Sequence, residues 1–167
     1  MTRIVSKIVE TEAERRGHFA VRRTVFVDEQ GLFQDSDIDE HDDHAIHLVA
    51  VDQDTGVVVG AVRCYETEAG LWYGGRLAVL EAYRYSVCAV GPRLCKLAEK
   101  VVIERGCRCF LAYIQLQNVR FFERLGWQKI GEPVEQYGLL HQLMEASLSL
   151  EKVKEPDRIK GAQLIHA

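Results

Sequence analysis

Residues 35–48 read DSDIDEHDDHAIHL, six carboxylates and three histidines within one short stretch. Such a pattern can bind a metal, form a solvated acidic loop, or build a charged wall over a substrate. His41, His44 and His47 recur every third residue. If 44–51 is extended, side chains alternate and His44 and His47 face opposite ways, so they cannot share an ion. Asp39, His41 and Asp42 do not make a closed ligand set, and no metal is expected. Asp35, Ser36 and Asp43 suit a solvated loop. A second candidate lies at Ala89-Val90-Gly91, where a small-residue loop opens a helix. Free N–H groups and the positive dipole end of a helix favour a phosphate there, and Arg84 and Arg93 could add charge-assisted contacts. One glycine alone is equally a plain helix start. Candidate proton carriers are Tyr113, Tyr137, His141 and Glu29, each of which also has an ordinary structural role open to it.

The elements that must position these residues follow from hydrophobic period. Residues 3–9 alternate and read as a strand. Residues 12–30 read as a helix, opened by a Thr11/Glu14 capping box. Residues 31–43 read as a loop. Two strands, 44–52 and 56–66, flank the turn QDTG. A third strand covers 70–80, where Gly74-Gly75 suggests a bulge or a close backbone approach. Residues 90–106 form a helix with Leu94, Leu97, Ala98, Val101 and Val102 on its apolar face, Pro92 near its first position and Gly106 at its end. The continuous apolar run 109–114 suits a buried parallel strand. A short helix follows, with Asn118 as N-cap and Gly126 after its end. Residues 127–131 and 141–148 close as strands. The order implies an α/β (α+β) fold with a mixed central sheet of about seven strands and helices on both faces. Residues 1–150 are expected as one domain and 151–167 as a charged tail.

Bulk properties narrow the function. The 167 residues are 47% apolar and 28% charged, with a net charge of −4. That balance gives no footprint for nucleic acid and no basic stripe for a membrane surface. Five cysteines without a Cys-x-x-Cys pair point to reduced, buried thiols in a cytoplasmic protein. No signal peptide or membrane span is apparent.

Arg76-Leu77-Ala78-Val79, then Ala89-Val90-Gly91, then Asn118 and Phe122-Glu123-Arg124-Leu125-Gly126-Trp127 resemble the motifs of the GCN5-related N-acetyltransferase (GNAT) superfamily, over residues 3–148. The resemblance implies that family's fold and acetyl-CoA as co-substrate. The 84–91 loop and Arg93 would take its pyrophosphate, and the backbone of Leu77, Ala78 and Val79 its pantetheine, in a cleft where the strands at 71–79 and 109–114 splay apart. Asn118 and Phe122 would lie on the cofactor side. An amine would attack the thioester directly, with an N–H near Val79 polarising the carbonyl. Three departures stand out. The loop after Arg84 is two residues longer than usual, Phe122 replaces the family's tyrosine, and no glutamate stands on the 71–79 strand.

The N-terminal half resembles acyl-homoserine-lactone and N-acyl amino acid synthases through Arg22, Phe26, Asp37, Asp39, Asp42, Gly60, Arg63 and Arg76. Tyr73 replaces their strand glutamate and His41 their aromatic. This second resemblance implies an acceptor wall of Phe26, Asp39, Asp42, Arg63 and Arg76. The acids suit a cationic amine and the arginines a carboxylate, so a small amino-acid-like acceptor is expected. A longer acyl donor, on CoA or acyl carrier protein, and a non-catalytic CoA sensor are the alternatives. A homodimer is common in the resembled family.

Overall fold

The computed structural model describes residues 2–148; the expected tail at 151–167 lies outside them. Strands β1 (Ile4–Ile8), β2 (Ile46–Asp52), β3 (Val57–Glu68), β4 (Leu71–Val79), β5 (Cys109–Gln115), β6 (Gln128–Lys129), β7 (Val134–Gln136) and β8 (Leu139–Glu145) alternate with helices α1 (Glu12–Arg22), α2 (Val90–Glu104) and α3 (Val119–Arg124). The sheet order is β1-β2-β3-β4-β5-β8-β6, with β7 paired to β8. β4 and β5 are parallel, whereas β1/β2, β2/β3 and β5/β8 are antiparallel, so the sheet is mixed as expected. The added strand, β7, is three residues long and follows Pro133, too short to carry a period.

The chain divides into two compact units, one holding residues up to Cys64 plus Arg76–Ala98, the other Tyr65–Gly75 plus residues from Glu99 onward. In the first unit, Val21, Val25 and Phe26 pack on Ala61 and Ala78. A Cβ at the neighbouring Gly60 would instead meet Val90 and Leu94 of α2. Adjacent strand residues face opposite ways, so α1 and α2 cover the two faces of β3. In the second unit, Phe110 meets Trp127, which meets Phe122 of α3.

Several local expectations are corrected. The Thr11/Glu14 capping box is present, but α1 ends at Arg22 and a π-helical segment takes over from Arg23 to Glu29. The run Thr24-Val25-Phe26-Val27 explains the change, because β-branched and aromatic side chains are crowded in a regular helical turn. Within the expected loop, Asp39 and Asp42 form a capping box around a 3-10 turn, Glu40–Asp43. On β4 the left-handed residue is Arg76, at φ 56°, not one of the glycines before it. Pro92 is the third residue of α2 rather than its first. Asn118 occupies the N-cap of α3 without a side-chain capping bond.

Candidate active site

In the first unit the acidic stretch meets three arginines. Arg22, at the last position of α1, is fully buried. Its Nε donates to Asp37 Oδ2 at 2.7 Å, and Nη1 and Nη2 donate to the two oxygens of Asp42 at 2.7 and 3.0 Å. Arg63 of β3 holds both oxygens of Asp39, at 2.5 and 2.8 Å, and lies 2.9 Å from Asp42 Oδ2. Arg76 donates twice to the Asp37 carbonyl, at 3.1 and 2.9 Å, pairs with Asp37 Oδ2 at 3.2 Å, and reaches Asp39 Oδ2 at 3.3 Å. Its guanidinium also covers the Phe33 ring at 4.6 Å. Three arginines thus face three aspartates, a balance that buried charge requires. Burial pushes the Asp42 carboxyl up, but the hydrogen bond and charge of Arg22 outweigh it and hold the carboxyl far below its usual range. Asp39 is lowered too, with Arg63 overcoming burial. The same acids push Arg63 up against the effect of burial. Residues expected to hold opposite ends of a substrate are therefore joined to one another. The most exposed side chains of the lattice are Asp39, at 22%, and Arg76, at 12%.

Phe26, expected on the acceptor wall, is buried in the α1 core cluster. His44 is not on β2 but caps the 3-10 turn, its ring 5.8 Å from that of His41, while His47 points to His18. Among the described residues, no three His, Cys, Asp or Glu side chains are grouped to hold a metal.

The helix start at Val90 follows Ala89, whose φ is 50°. Arg93 N–H bonds Ala89 O at 3.0 Å and closes the first turn. Helix geometry leaves the N–H groups of Val90 and Gly91 without acceptors inside α2. Exposed Arg93 stands beside them. Arg84 is otherwise engaged: its Nε donates to Val79 O at 2.8 Å and Nη2 pairs with Glu29. On β4, Ala78 joins the core, whereas Leu77 and Val79 are half-buried.

In the second unit Tyr113 and His141 share a face. Tyr113 lies opposite Leu143, and Gln115 opposite His141; residues two apart on a strand face the same way. The Tyr73 ring is stacked with Tyr113 at 6.4 Å and with Tyr65 at 6.1 Å. Burial raises Tyr113, and raises Tyr73 further with help from its tyrosine neighbours, so both hydroxyls stay protonated. His141 Nδ1 lies 2.9 Å from Leu139 O. A carbonyl only accepts, so Nδ1 carries a hydrogen directed at Leu139, and Nε2 is the ring nitrogen left to exchange a proton. Tyr137 meets His141 edge-on at 6.5 Å. Phe122 is buried against Trp127, and Asn118 is exposed.

Sequence reasoning missed His18 and Tyr65, and it placed Arg22 and Tyr73 in a family motif without giving either a role in the site; for His18 and Arg22 a further signal existed. His18, Val21, Arg22 and Val25 form one i, i+3, i+4, i+7 stripe. Polar residues on a buried stripe announce an internal network.

A mixed sheet with the parallel β4–α2–β5 crossover is the scaffold of acyl-CoA N-acyltransferases. The Acetyltransferase (GNAT) family profile matches residues 10–127, and the chain belongs to that family. It is 30% identical over 125 residues to YjcF, an uncharacterised N-acetyltransferase of Bacillus subtilis, covering 75% of this chain and 86% of that one. Escherichia coli ElaA superposes with a TM-score of 0.73 at 21% identity, covering 88% of this chain and all of that one. The CoA-dependent acyl-homoserine lactone synthase BjaI, solved with isopentyl-CoA, superposes at 0.69 and 16% identity, covering 91% of this chain and 86% of that one.

Proposed function

We propose that the chain is an N-acetyltransferase that moves the acetyl group of acetyl-CoA to the amine of a small, amino-acid-like acceptor. Family membership across residues 10–127, the span that includes β4 and the start of α2, carries this reading. The donor-rich start of α2 with Arg93 fits an anionic pyrophosphate, and the Leu77 to Val79 backbone would hold the pantetheine arm. Arg84 is paired with Glu29 and bonded to Val79 O, which holds it on the loop leading to that helix start. Asp39 and Arg76 would take the acceptor's amine and carboxylate, since they retain exposure within an otherwise buried lattice.

The attacking amine must shed a proton. His141 Nε2 is suited to take it because Leu139 fixes the tautomer. As the carbon–nitrogen bond forms and the carbon–sulfur bond breaks, Tyr113 can hydrogen-bond to the leaving thiolate. Its conjugate thiol has a pKa of about 8.5, so little help is needed where Phe122 replaces the family's tyrosine. A longer acyl-CoA donor is the second reading, favoured by the likeness to BjaI, whose structure holds isopentyl-CoA.

Purified chain mixed with acetyl-CoA and a panel of amines is expected to release free CoA thiol, fastest with amino-acid-like acceptors. His141→Gln should lower kcat by at least about tenfold, the lower end of what a lost proton acceptor costs being about a hundredfold, while the stabilisation by acetyl-CoA in a thermal-shift assay is kept. No thiol release with any amine, despite stabilisation by acetyl-CoA in a thermal-shift assay, would recast the chain as a CoA sensor.

A further inference from the structure

His18 and His47 are both inside the first unit, 0% and 6% exposed. Four contacts involve their ring nitrogens. His18 Nδ1 lies 3.0 Å from Leu48 O, and His47 Nε2 lies 3.1 Å from Asp42 O. Between the rings, His47 Nδ1 lies 3.1 Å from His18 Nε2. Arg22 Nη1, always a donor, lies 3.2 Å from the same His18 Nε2.

Proton counting constrains this chain. Both carbonyls only accept, so His18 Nδ1 and His47 Nε2 must each carry a hydrogen. Two neutral rings hold only those two, and the bare lone pairs of His18 Nε2 and His47 Nδ1 then face each other. The alternative tautomer of His47 moves the clash to Asp42 O. One additional proton puts a hydrogen in every contact, with the single lone pair of His18 Nε2 shared between two donors. It belongs on His47 Nδ1, because Arg22 already directs a hydrogen at His18 Nε2. We infer that His18 and His47 form a single buried proton-binding site, which takes one proton on His47 Nδ1 and thereby ties α1, β2 and the acidic turn at Asp42 into one hydrogen-bonded chain.

The charged surroundings set when this happens. Arg15 and Arg22 approach from α1, Asp42 from the turn, and Arg63 stands opposite His47 on β3; Asp37 and Asp39 act through the arginines they bind. Burial lowers His47, while the Asp42 carbonyl and carboxylate oppose that shift. Burial, His47 and Arg22 together push His18 down to about 3, so His18 does not compete for the proton. The link therefore closes below the ordinary histidine range. Asp42 is the natural receiver: its carbonyl meets His47 while its carboxylate orders Arg22 and Arg63.

Histidine-labelled chain followed by long-range nitrogen–proton NMR from pH 8 downward tests this. His47 should pass to the imidazolium in one step, at a pH below about 6.5, while His18 keeps its Nδ1–H tautomer throughout. Protonation of His18 first, two independent titrations near the ordinary value, or two rings neutral until the chain unfolds would each overturn the proposal. Urea midpoints give a second measurement. Both folded-state values are lowered, so the unfolded chain binds more protons and stability falls as pH drops below about 6.5. His47→Gln should flatten that fall; an unchanged slope overturns the assignment as well.

Discussion

At the residue scale, Arg22 is the keystone of the first unit. Its guanidinium touches Asp37, Asp42 and His18 together. Replacing it leaves two buried carboxylates short of a partner, although Arg76 still reaches Asp37 and Arg63 still reaches Asp42. Removing one member of a buried ionic cluster costs roughly 3–5 kcal/mol, mostly as the desolvation of what remains. Arg22→Met should therefore lower the free energy of unfolding by about that amount in chemical denaturation. Arg22→Met combined with Asp42→Asn should lose less than the sum of the two single changes, since the second removes a charge the first had stranded. Strict additivity would sink the keystone role. The acids and arginines of this lattice were legible as a motif, but their pairing was not. Sequence shows charge at positions 22, 37, 39, 42, 63 and 76; only the fold decides that these charges satisfy each other before any substrate does.

At the element scale, the start of α2 depends on a residue far from it in sequence. Gly60 of β3 lies beneath Val90, the first residue of the helix; an added Cβ would stand 2.8 Å from Val90 Cγ1 and 2.9 Å from Leu94 Cδ1. Val90 is 1% exposed, so it has no room to yield, and overpacking of this kind costs about 1–3 kcal/mol. Gly60→Ala should displace the first turn of α2, raising the KM for acetyl-CoA while kcat changes little. Val90→Ala in the same chain should restore KM in steady-state kinetics. A lowered kcat with unchanged KM would show that Gly60 does not act through the helix start. Elements of this kind were readable where one physical signal dominated: the Thr11/Glu14 box, the apolar run of β5 and the glycine after α2. They were misread where local preference and tertiary demand diverged, as in the β-branched run at 24–27 that widens into a π-helix. Arg76 is similar, since it adopts a conformation that favours glycine while its side chain makes two hydrogen bonds to Asp37 O.

At the scale of the whole molecule, charge bears on which acyl donor the enzyme meets. Free acyl-CoA is small and needs only a local set of donors, which the start of α2 with Arg93 offers. An acyl carrier protein is itself acidic and must dock over a large surface, where summed charge governs encounter. This chain has 25 acidic against 21 basic residues, a net charge of −4, so two like-charged proteins would repel at low ionic strength. Exposed basic side chains do cluster locally, at Arg84 and at Arg93, Lys96 and Lys100 along α2, but they sit within a chain that is negative as a whole. The donor should therefore be CoA-linked. With acyl length held constant, turnover on the CoA thioester should exceed turnover on the carrier-protein thioester by at least about tenfold, a difference of roughly 1.4 kcal/mol in the transition state. Salt separates the causes: if repulsion is responsible, raising ionic strength from about 0.01 M to 0.15 M shortens the screening length from about 30 Å to about 8 Å and narrows the gap. A carrier-protein donor that matches or outperforms its CoA counterpart at low salt would overturn this and place the chain with the longer-acyl synthases instead.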